Sequence, residues 1–177
     1  MMKVIFLDVD GVLNSMSYYE KVNITQHPLD REAIDCLARI VYASKALIVL
    51  SSSWRGGWQA DPSSCDIQGR ILNQYLSEAG LSIYDKTVSL MITDGSARCQ
   101  EIQSWLHRHR GQIGNYLILD DGDFGWESYG MAGHWIRTDF MQGGLQEEHV
   151  ADAVRILSEK WWMTDIKYRF RRILPHS

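Results

Sequence analysis

The stretch of sequence that decides the fold reads Lys3-Val4-Ile5-Phe6-Leu7-Asp8-Val9-Asp10-Gly11-Val12-Leu13-Asn14. Its first part is a nearly continuous apolar run, which is typical of a central parallel strand buried on both faces. Two aspartates and a glycine follow, and the glycine lets the backbone turn. Ligands of open α/β sheets bind beyond the carboxyl ends of the strands, so Asp8 and Asp10 are candidate site residues. The alternative is an Asx turn that only ends the strand.

Size and composition indicate one ordinary globular domain. The chain has 177 residues, of which 45% are hydrophobic, and we expect residues 1–177 to form a single domain. No apolar run approaches the roughly 20 residues that span a bilayer, so a cytoplasmic protein without membrane contact is expected. The net charge of -4 argues against a general nucleic-acid coat protein but leaves a local basic patch open. The three cysteines are widely spaced and indicate neither disulfides nor zinc: Cys36, Cys65 and Cys99.

Strand and helix patterns alternate along the chain. Buried strands are predicted at 3–7, 46–50 and 115–119, with a short strand within 81–92 and an edge strand at 134–137. Helices are predicted at 28–44, 67–79, 98–110 and 146–161. This alternation predicts an α/β fold, a three-layer α/β/α Rossmann-like domain with a mostly parallel central sheet. The polar segment 15–27 is predicted as a loop or small hairpin that lies over the acid pair as a lid.

Polar side chains follow three of the predicted strands where each strand ends. Asp8 and Asp10 follow the first strand, Ser51 the second, and Asp120 with Asp121 the strand at 115–119. Gathered carboxylates repel one another unless a hard cation neutralises them, and Mg²⁺ with a phosphate partner suits such oxygen ligands. The sequence therefore predicts bound Mg²⁺ and a phosphorylated substrate.

This set of residues can carry out phosphoryl transfer. One carboxylate of the first pair can attack phosphorus and form an aspartyl-phosphate, while the other transfers the proton. Residues i and i+2 of an extended segment point to the same side, so both can face one substrate. The Ser51 hydroxyl can hold a phosphoryl oxygen, and Arg98 or Lys86 can offset its charge. The alternative for residues 51–53 is that a serine caps a following helix.

Three of these segments resemble motifs of the haloacid dehalogenase (HAD) superfamily of aspartate-nucleophile phosphohydrolases. Residues 8–14 resemble the first motif, Leu50-Ser51 the second, and residues 119–121 the fourth. The resemblance implies Asp8 as nucleophile, Asp10 as general acid/base and Ser51 as phosphate-binding hydroxyl. It implies a Mg²⁺ site made by Asp8, the backbone carbonyl of Asp10, Asp120 and Asp121. The third-motif cation is assigned to Arg98 in preference to Lys86.

A narrower resemblance is to a small, capless HAD branch that includes domains associated with RNA-repair proteins. It is carried by residues 51–55, by residues 98–106, and by Thr138 followed by Gly144-Leu145. On this basis Ser52, Trp54 and Arg55 are assigned to substrate binding. Larger HAD enzymes insert a cap after the first or third strand, and the gaps here are too short for one. The site is therefore expected to be open.

An open site suits a large substrate. The segment 160–177 mixes basic and aromatic residues, which makes a nucleic-acid end a candidate substrate. The alternative is that the aromatic residues pack on the sheet while the cations stay solvated. Trp54, Trp58 and Trp126 likewise either stack a base or cover the core. The other functions considered are a nucleotidase or small-metabolite phosphatase, and a non-catalytic phosphate- or nucleic-acid-binding module; no obligate protein partner is expected.

Overall fold

Five parallel strands form one sheet at the centre of the protein. The structure is a computed structural model and describes residues 1–90, 97–161, 163 and 164. The strands are β1 (Met2–Leu7), β2 (Leu47–Leu50), β3 (Ile83–Lys86), β4 (Ile113–Asp120) and β5 (Trp135–Arg137). Their order in the sheet is β3-β2-β1-β4-β5, so the opening strand of the sequence lies in the middle. All four neighbouring pairs run parallel.

The helices lie close to their predicted positions. The helices are α1 (Met16–Tyr19), α2 (Arg31–Ser44), α3 (Ile67–Glu78), α4 (Ala97–Arg108) and α5 (Glu147–Ser158). Asp30 caps α2, because its side chain accepts a hydrogen bond from the Glu32 amide at 2.9 Å. The last helix is shorter than predicted, because Glu159 is already extended, with a ψ of 164°. Short 3₁₀ turns cover Ser53–Gly56, Pro62–Ser64 and Ala132–His134.

The two faces of the sheet are covered by different helices. Ile5 and Leu7 of β1 pack with buried residues of α2, α3 and α5. Val4 and Phe6 point to the other face, where Phe6 meets Trp105 of α4 edge-on at 5.4 Å between ring centroids. This alternation follows from the period of two in a strand. The predicted three-layer α/β/α architecture is confirmed, and its sheet is parallel throughout.

The connections at the two possible cap positions are short. Between β1 and α2 the chain forms a loop with the one-turn helix α1, and not a hairpin. Tyr18 and Tyr19 fasten this loop by donating to the carbonyls of Leu29 and Pro28, at 3.0 and 3.1 Å. No cap domain is present in the described part of the chain. Among the same residues, no helix is long and apolar enough to cross a membrane.

Several smaller expectations can now be compared with the structure. Cys36, Cys65 and Cys99 are free and buried. Trp54, Trp58 and Trp126 are 8%, 5% and 0% exposed, which favours their role in covering the core over base stacking. Most of the basic and aromatic segment, residues 162 and 165–177, lies outside the described residues, and so does the end of the region predicted for the third strand. The assignment of all 177 residues to a single domain stays a prediction.

Candidate active site

The ends of β1, β2 and β4 are held side by side by the backbone. The Asp8 amide donates to the Leu119 carbonyl at 3.0 Å, which continues the pairing of β1 with β4. The Ser51 amide donates to the Leu7 carbonyl at 2.9 Å on the other side of β1. Three predicted site segments from distant parts of the sequence therefore meet at one edge of the sheet.

Three carboxylates and one guanidinium form the centre of this edge. Asp8, Asp120 and Asp121 each place an oxygen so that the three atoms lie within 4.8 Å of one another. Arg98 Nη1 lies 3.2 Å from Asp8 Oδ1 and 2.9 Å from Asp120 Oδ2. Asp120 is fully buried, Asp8 is 7% exposed, and Asp121 is half-buried. When all four side chains are ionised, the three carboxylates and the one guanidinium carry a net charge of -2.

The pKa values reflect this crowding. Burial raises the pKa of Asp120 to about 7, the charge of Asp8 adds to the rise, and Arg98 opposes it. Burial and the charge of Asp8 also raise the pKa of Asp121. Burial alone would lower the pKa of Arg98, but Asp8 and Asp120 outweigh it and raise that pKa. A cluster of hard oxygen donors that resists full ionisation, with two charges left to balance, fits Mg²⁺ well.

Asp10 occupies a different environment from Asp8. Its carboxylate is exposed and does not belong to the cluster of three. Asn14 Nδ2 donates to Asp10 Oδ1 at 2.8 Å, and Trp54 Nε1 donates to Asp10 Oδ2 at 3.0 Å. Val9 between the two acids is fully buried, as the alternation predicts. The two chemically identical side chains are thus held by different partners.

The serines after β2 have separate surroundings. Ser51 is fully buried, and within the described residues its Oγ has no hydrogen-bond partner. A buried hydroxyl without a partner is unusual, and a ligand oxygen that reached it would satisfy it. Ser52 Oγ accepts from the Trp54 amide at 3.3 Å and caps the turn Ser53–Gly56. The capping alternative therefore applies to Ser52, and its assignment to substrate binding stays a prediction.

Arg55 and Lys86, two cations close to the loop that follows β2, have different partners. Arg55 pairs with Glu101 at 2.7 Å and donates to the carbonyls of Ser51 and Ser52 at 3.3 and 3.2 Å. Lys86 Nζ donates to the carbonyls of Arg55 and Trp58 at 2.9 and 2.6 Å. Lys86 thus fastens the loop, whereas Arg98 is the candidate third-motif cation that lies against the acids.

The comparison with family models agrees with this geometry. Residues 4–150 match the family described as the HAD domain in Swiss Army Knife RNA repair proteins. The chain belongs to this family. The resemblance of the three motifs to the HAD superfamily is confirmed. The chain contains a domain of the HAD hydrolase superfamily. Comparisons with curated proteins and with solved structures gave no match.

Three residues of this HAD domain support the site without having been predicted to do so. Asn14 contacts Asp10, Glu101 holds Arg55, and Thr138 Oγ1 donates to the Gly11 carbonyl at 2.6 Å. Glu101 lies one helical turn after Arg98, so helix spacing is a sequence signal that could have placed it on the same side of the helix as Arg98. Thr138 lies 127 residues from its partner, and no local pattern reveals such a pair.

Gly11 lets the first motif pass close to Asp121. Its φ is +77°, and a Cβ added there would overlap the Asp121 carboxylate. We expect Gly11→Ala to lower the free energy of unfolding by about 2 kcal/mol, since the left-handed backbone alone costs about 1 kcal/mol or more. We also expect it to weaken the rise in melting temperature on adding Mg²⁺. Denaturant unfolding and thermal melts measure both effects.

Gly111 provides the matched control for this substitution. Its φ is +83°, but nothing lies within 4 Å of an added Cβ. Gly111→Ala should therefore carry the backbone cost alone and keep the response to Mg²⁺. Equal behaviour of the two variants would contradict the role of Gly11 in making room for Asp121.

Proposed function

We propose that this HAD domain is a Mg²⁺-dependent phosphomonoesterase that works through an aspartyl-phosphate. The observation that carries the proposal is the cluster of Asp8, Asp120 and Asp121 against Arg98 at the carboxyl edge of the sheet. Three carboxylates beside one cation repel one another, so this arrangement destabilises the protein unless it serves a function. A bound metal that interacts with a phosphoryl group would neutralise the carboxylates and explain why they are gathered here.

The chain's residues divide the reaction between them. Asp8 attacks phosphorus and forms the P–O bond of the aspartyl-phosphate as the bond to the leaving oxygen breaks. The carboxyl of Asp10 gives its proton to that oxygen, and its carboxylate then takes a proton from the water that hydrolyses the intermediate. Arg98 orients Asp8 and offsets charge on the transferred group, and Ser51 is the proposed donor to a phosphoryl oxygen.

Mg²⁺ would be held by the carboxylates of Asp8, Asp120 and Asp121 with the backbone carbonyl of Asp10. Asp121 is the more exposed of the fourth-motif pair, whereas Asp120 already accepts from the Gly122 amide and from Arg98, at 3.0 and 2.9 Å. Bound Mg²⁺ would polarise the phosphoryl oxygens and lower the barrier to attack.

The proposed substrate is an accessible phosphate such as a nucleic-acid end. The family's description names RNA repair proteins, and short connections at both cap positions favour an unenclosed site. A soluble nucleotidase or small-metabolite phosphatase is the second candidate, since it needs the same residues. A binding module without turnover is the third. The cytoplasmic location stays a prediction from the sequence.

Phosphate release separates these candidates. Purified protein is assayed with an aryl phosphate, mononucleotides, and 5′- and 3′-phosphorylated oligonucleotides, with Mg²⁺ or with EDTA. We expect release that requires Mg²⁺, with oligonucleotide ends turned over faster than mononucleotides. The reverse preference would favour the nucleotidase, tight binding without turnover would favour the binding module, and no reaction with any phosphoester would overturn the proposal.

A further inference from the structure

The exposed Asp10 of the first motif accepts hydrogen bonds from two buried side chains. Trp54 Nε1 and Asn14 Nδ2 donate to the two different oxygens of Asp10, at 3.0 and 2.8 Å. Trp54 is 8% exposed and Asn14 is 1% exposed, while the acid they hold faces outward. Both oxygens of Asp10 are thereby fixed, and the carboxyl plane cannot rotate without breaking a hydrogen bond.

The donors are themselves held by other contacts. Asn14 Oδ1 accepts from the Gly11 amide at 3.0 Å, which locks the Asn14 amide across the turn. Trp54 lies in the turn Ser53–Gly56, whose start is capped by Ser52 and whose Arg55 carbonyl accepts from Lys86 at 2.9 Å. The carboxyl group is therefore oriented by neighbours whose own positions are set by the fold.

We propose that Trp54 and Asn14 are positioning residues for proton transfer by Asp10. This inference rests on the proposed function. The two hydrogen bonds keep the carboxyl apart from the cluster of three acids and aim it at the leaving group, with a lone pair on each oxygen left for the transferred proton. The indole N–H of Trp54 is engaged inside the protein and its ring is buried. Trp54 therefore acts on the substrate through Asp10, in place of the direct substrate contact expected from the sequence.

The consequence is a dependence on the leaving group. A leaving oxygen whose conjugate acid is much more acidic than an alcohol, such as p-nitrophenolate, departs without a proton, whereas an alkoxide needs one. We expect Trp54→Phe to lower kcat/KM for an alkyl phosphate by about 30-fold and for p-nitrophenyl phosphate by about 3-fold or less, because general acid catalysis contributes about 10²–10⁴-fold. Kinetics on a series of phosphates with graded leaving groups measure this difference.

Trp58→Phe is the matched control. Trp58 lies in the same loop, is 5% exposed, and its Nε1 donates to Asn73 Oδ1 at 2.9 Å and not to Asp10. Like Trp54→Phe, the Trp58→Phe variant loses a hydrogen bond from a buried indole. Any loss of activity in Trp58→Phe should be the same for alkyl and aryl phosphates. An equal loss on both substrates with Trp54→Phe would overturn the inference, since that is the result of a purely structural role.

A second measurement does not depend on turnover. The indole N–H resonances are recorded by ¹⁵N NMR, and those of Trp54 and Trp58 are assigned from the two phenylalanine variants. Asp10→Leu should shift the Trp54 resonance strongly and leave that of Trp58 in place. An unmoved Trp54 resonance would refute the hydrogen bond, whereas a shifted resonance in a protein that hydrolyses no phosphoester would refute the proposed function and leave the contact intact.

Discussion

Replacing Asp8 by asparagine is expected to lower kcat for phosphate release by about 10⁴-fold or more, because the proposed covalent intermediate cannot form without this carboxylate. The amide keeps the size of the side chain, so the sheet edge should stay folded. The substitution also removes one of three crowded negative charges. The charge of Asp8 raises the pKa of both Asp120 and Asp121. Initial-rate assays with saturating Mg²⁺ measure the loss.

Stability separates this loss from misfolding. In EDTA we expect the melting temperature of Asp8→Asn to be equal to or higher than that of the natural protein, since carboxylate repulsion is relieved. After incubation with substrate and acid quenching, only the natural protein should carry acid-stable, hydroxylamine-labile phosphate. Full activity in a correctly folded Asp8→Asn protein would rule out Asp8 as nucleophile.

Replacing Arg98 by methionine is expected to destabilise the metal-free protein by about 3 kcal/mol at pH 8, because buried carboxylates lose their compensating cation. The Arg98 side chain is only 12% exposed, and its guanidinium stacks on Phe124 at 5.1 Å. Methionine keeps much of the apolar contact with this ring, so the loss reports mainly on charge. Saturating Mg²⁺ should restore much of the stability, because it supplies positive charge to the same carboxylates.

The pH dependence of this loss follows from Asp120. Its pKa rises from an ordinary 3.8 to about 7 in the folded protein, mainly through burial. Between pH 4 and 7 the folded protein therefore holds a proton that the unfolded chain has released, so this group makes metal-free stability fall as the pH rises. Because Arg98 lowers the pKa of Asp120, we expect Arg98→Met to raise that pKa further. The destabilisation should thus be small near pH 5 and largest above pH 7, as denaturant unfolding at each pH would show.

Arg55→Met is the control for this experiment. Arg55 is also 12% exposed in its side chain and pairs with the buried Glu101. Its loss should destabilise the protein to a similar extent, but Mg²⁺ should stabilise Arg55→Met no more than it stabilises the natural protein, because Glu101 is not part of the acid cluster. Equal rescue of both variants by Mg²⁺ would contradict the placement of Arg98 against a metal site.

The centre of the site could be predicted because parallel strands bring their carboxyl ends to one edge. A buried apolar run followed by Asp8, and another followed by Asp120 and Asp121, indicate both the strands and the acids beyond them. The polar ends of β1 and β4 are 112 or more residues apart in sequence and still meet, because the pairing of the two strands follows from the fold class. Local patterns were sufficient for this part.

The partners of each acid could not be predicted in the same way. Arg98 and Lys86 are both cations near the ends of predicted elements, and only their placement shows that one holds acids and the other holds loop carbonyls. Asp10 and Trp54 are 44 residues apart, and neither residue carries a periodic signal that points to the other. The identity of a hydrogen-bond partner depends on how distant loops are oriented, which short-range propensity does not encode.

By itself, the amino-acid sequence determined the alternation of strands and helices, the central position of β1, and the carboxylates at its end, since these follow from hydrophobic period and strand geometry. Only the tertiary structure decided that Arg98 lies against Asp8 and Asp120, while Asp10 is held apart by Asn14 and Trp54. The physical reason is that side-chain partners are chosen by the packing of loops from different strands, so two aspartates one residue apart acquire different surroundings and different proposed roles.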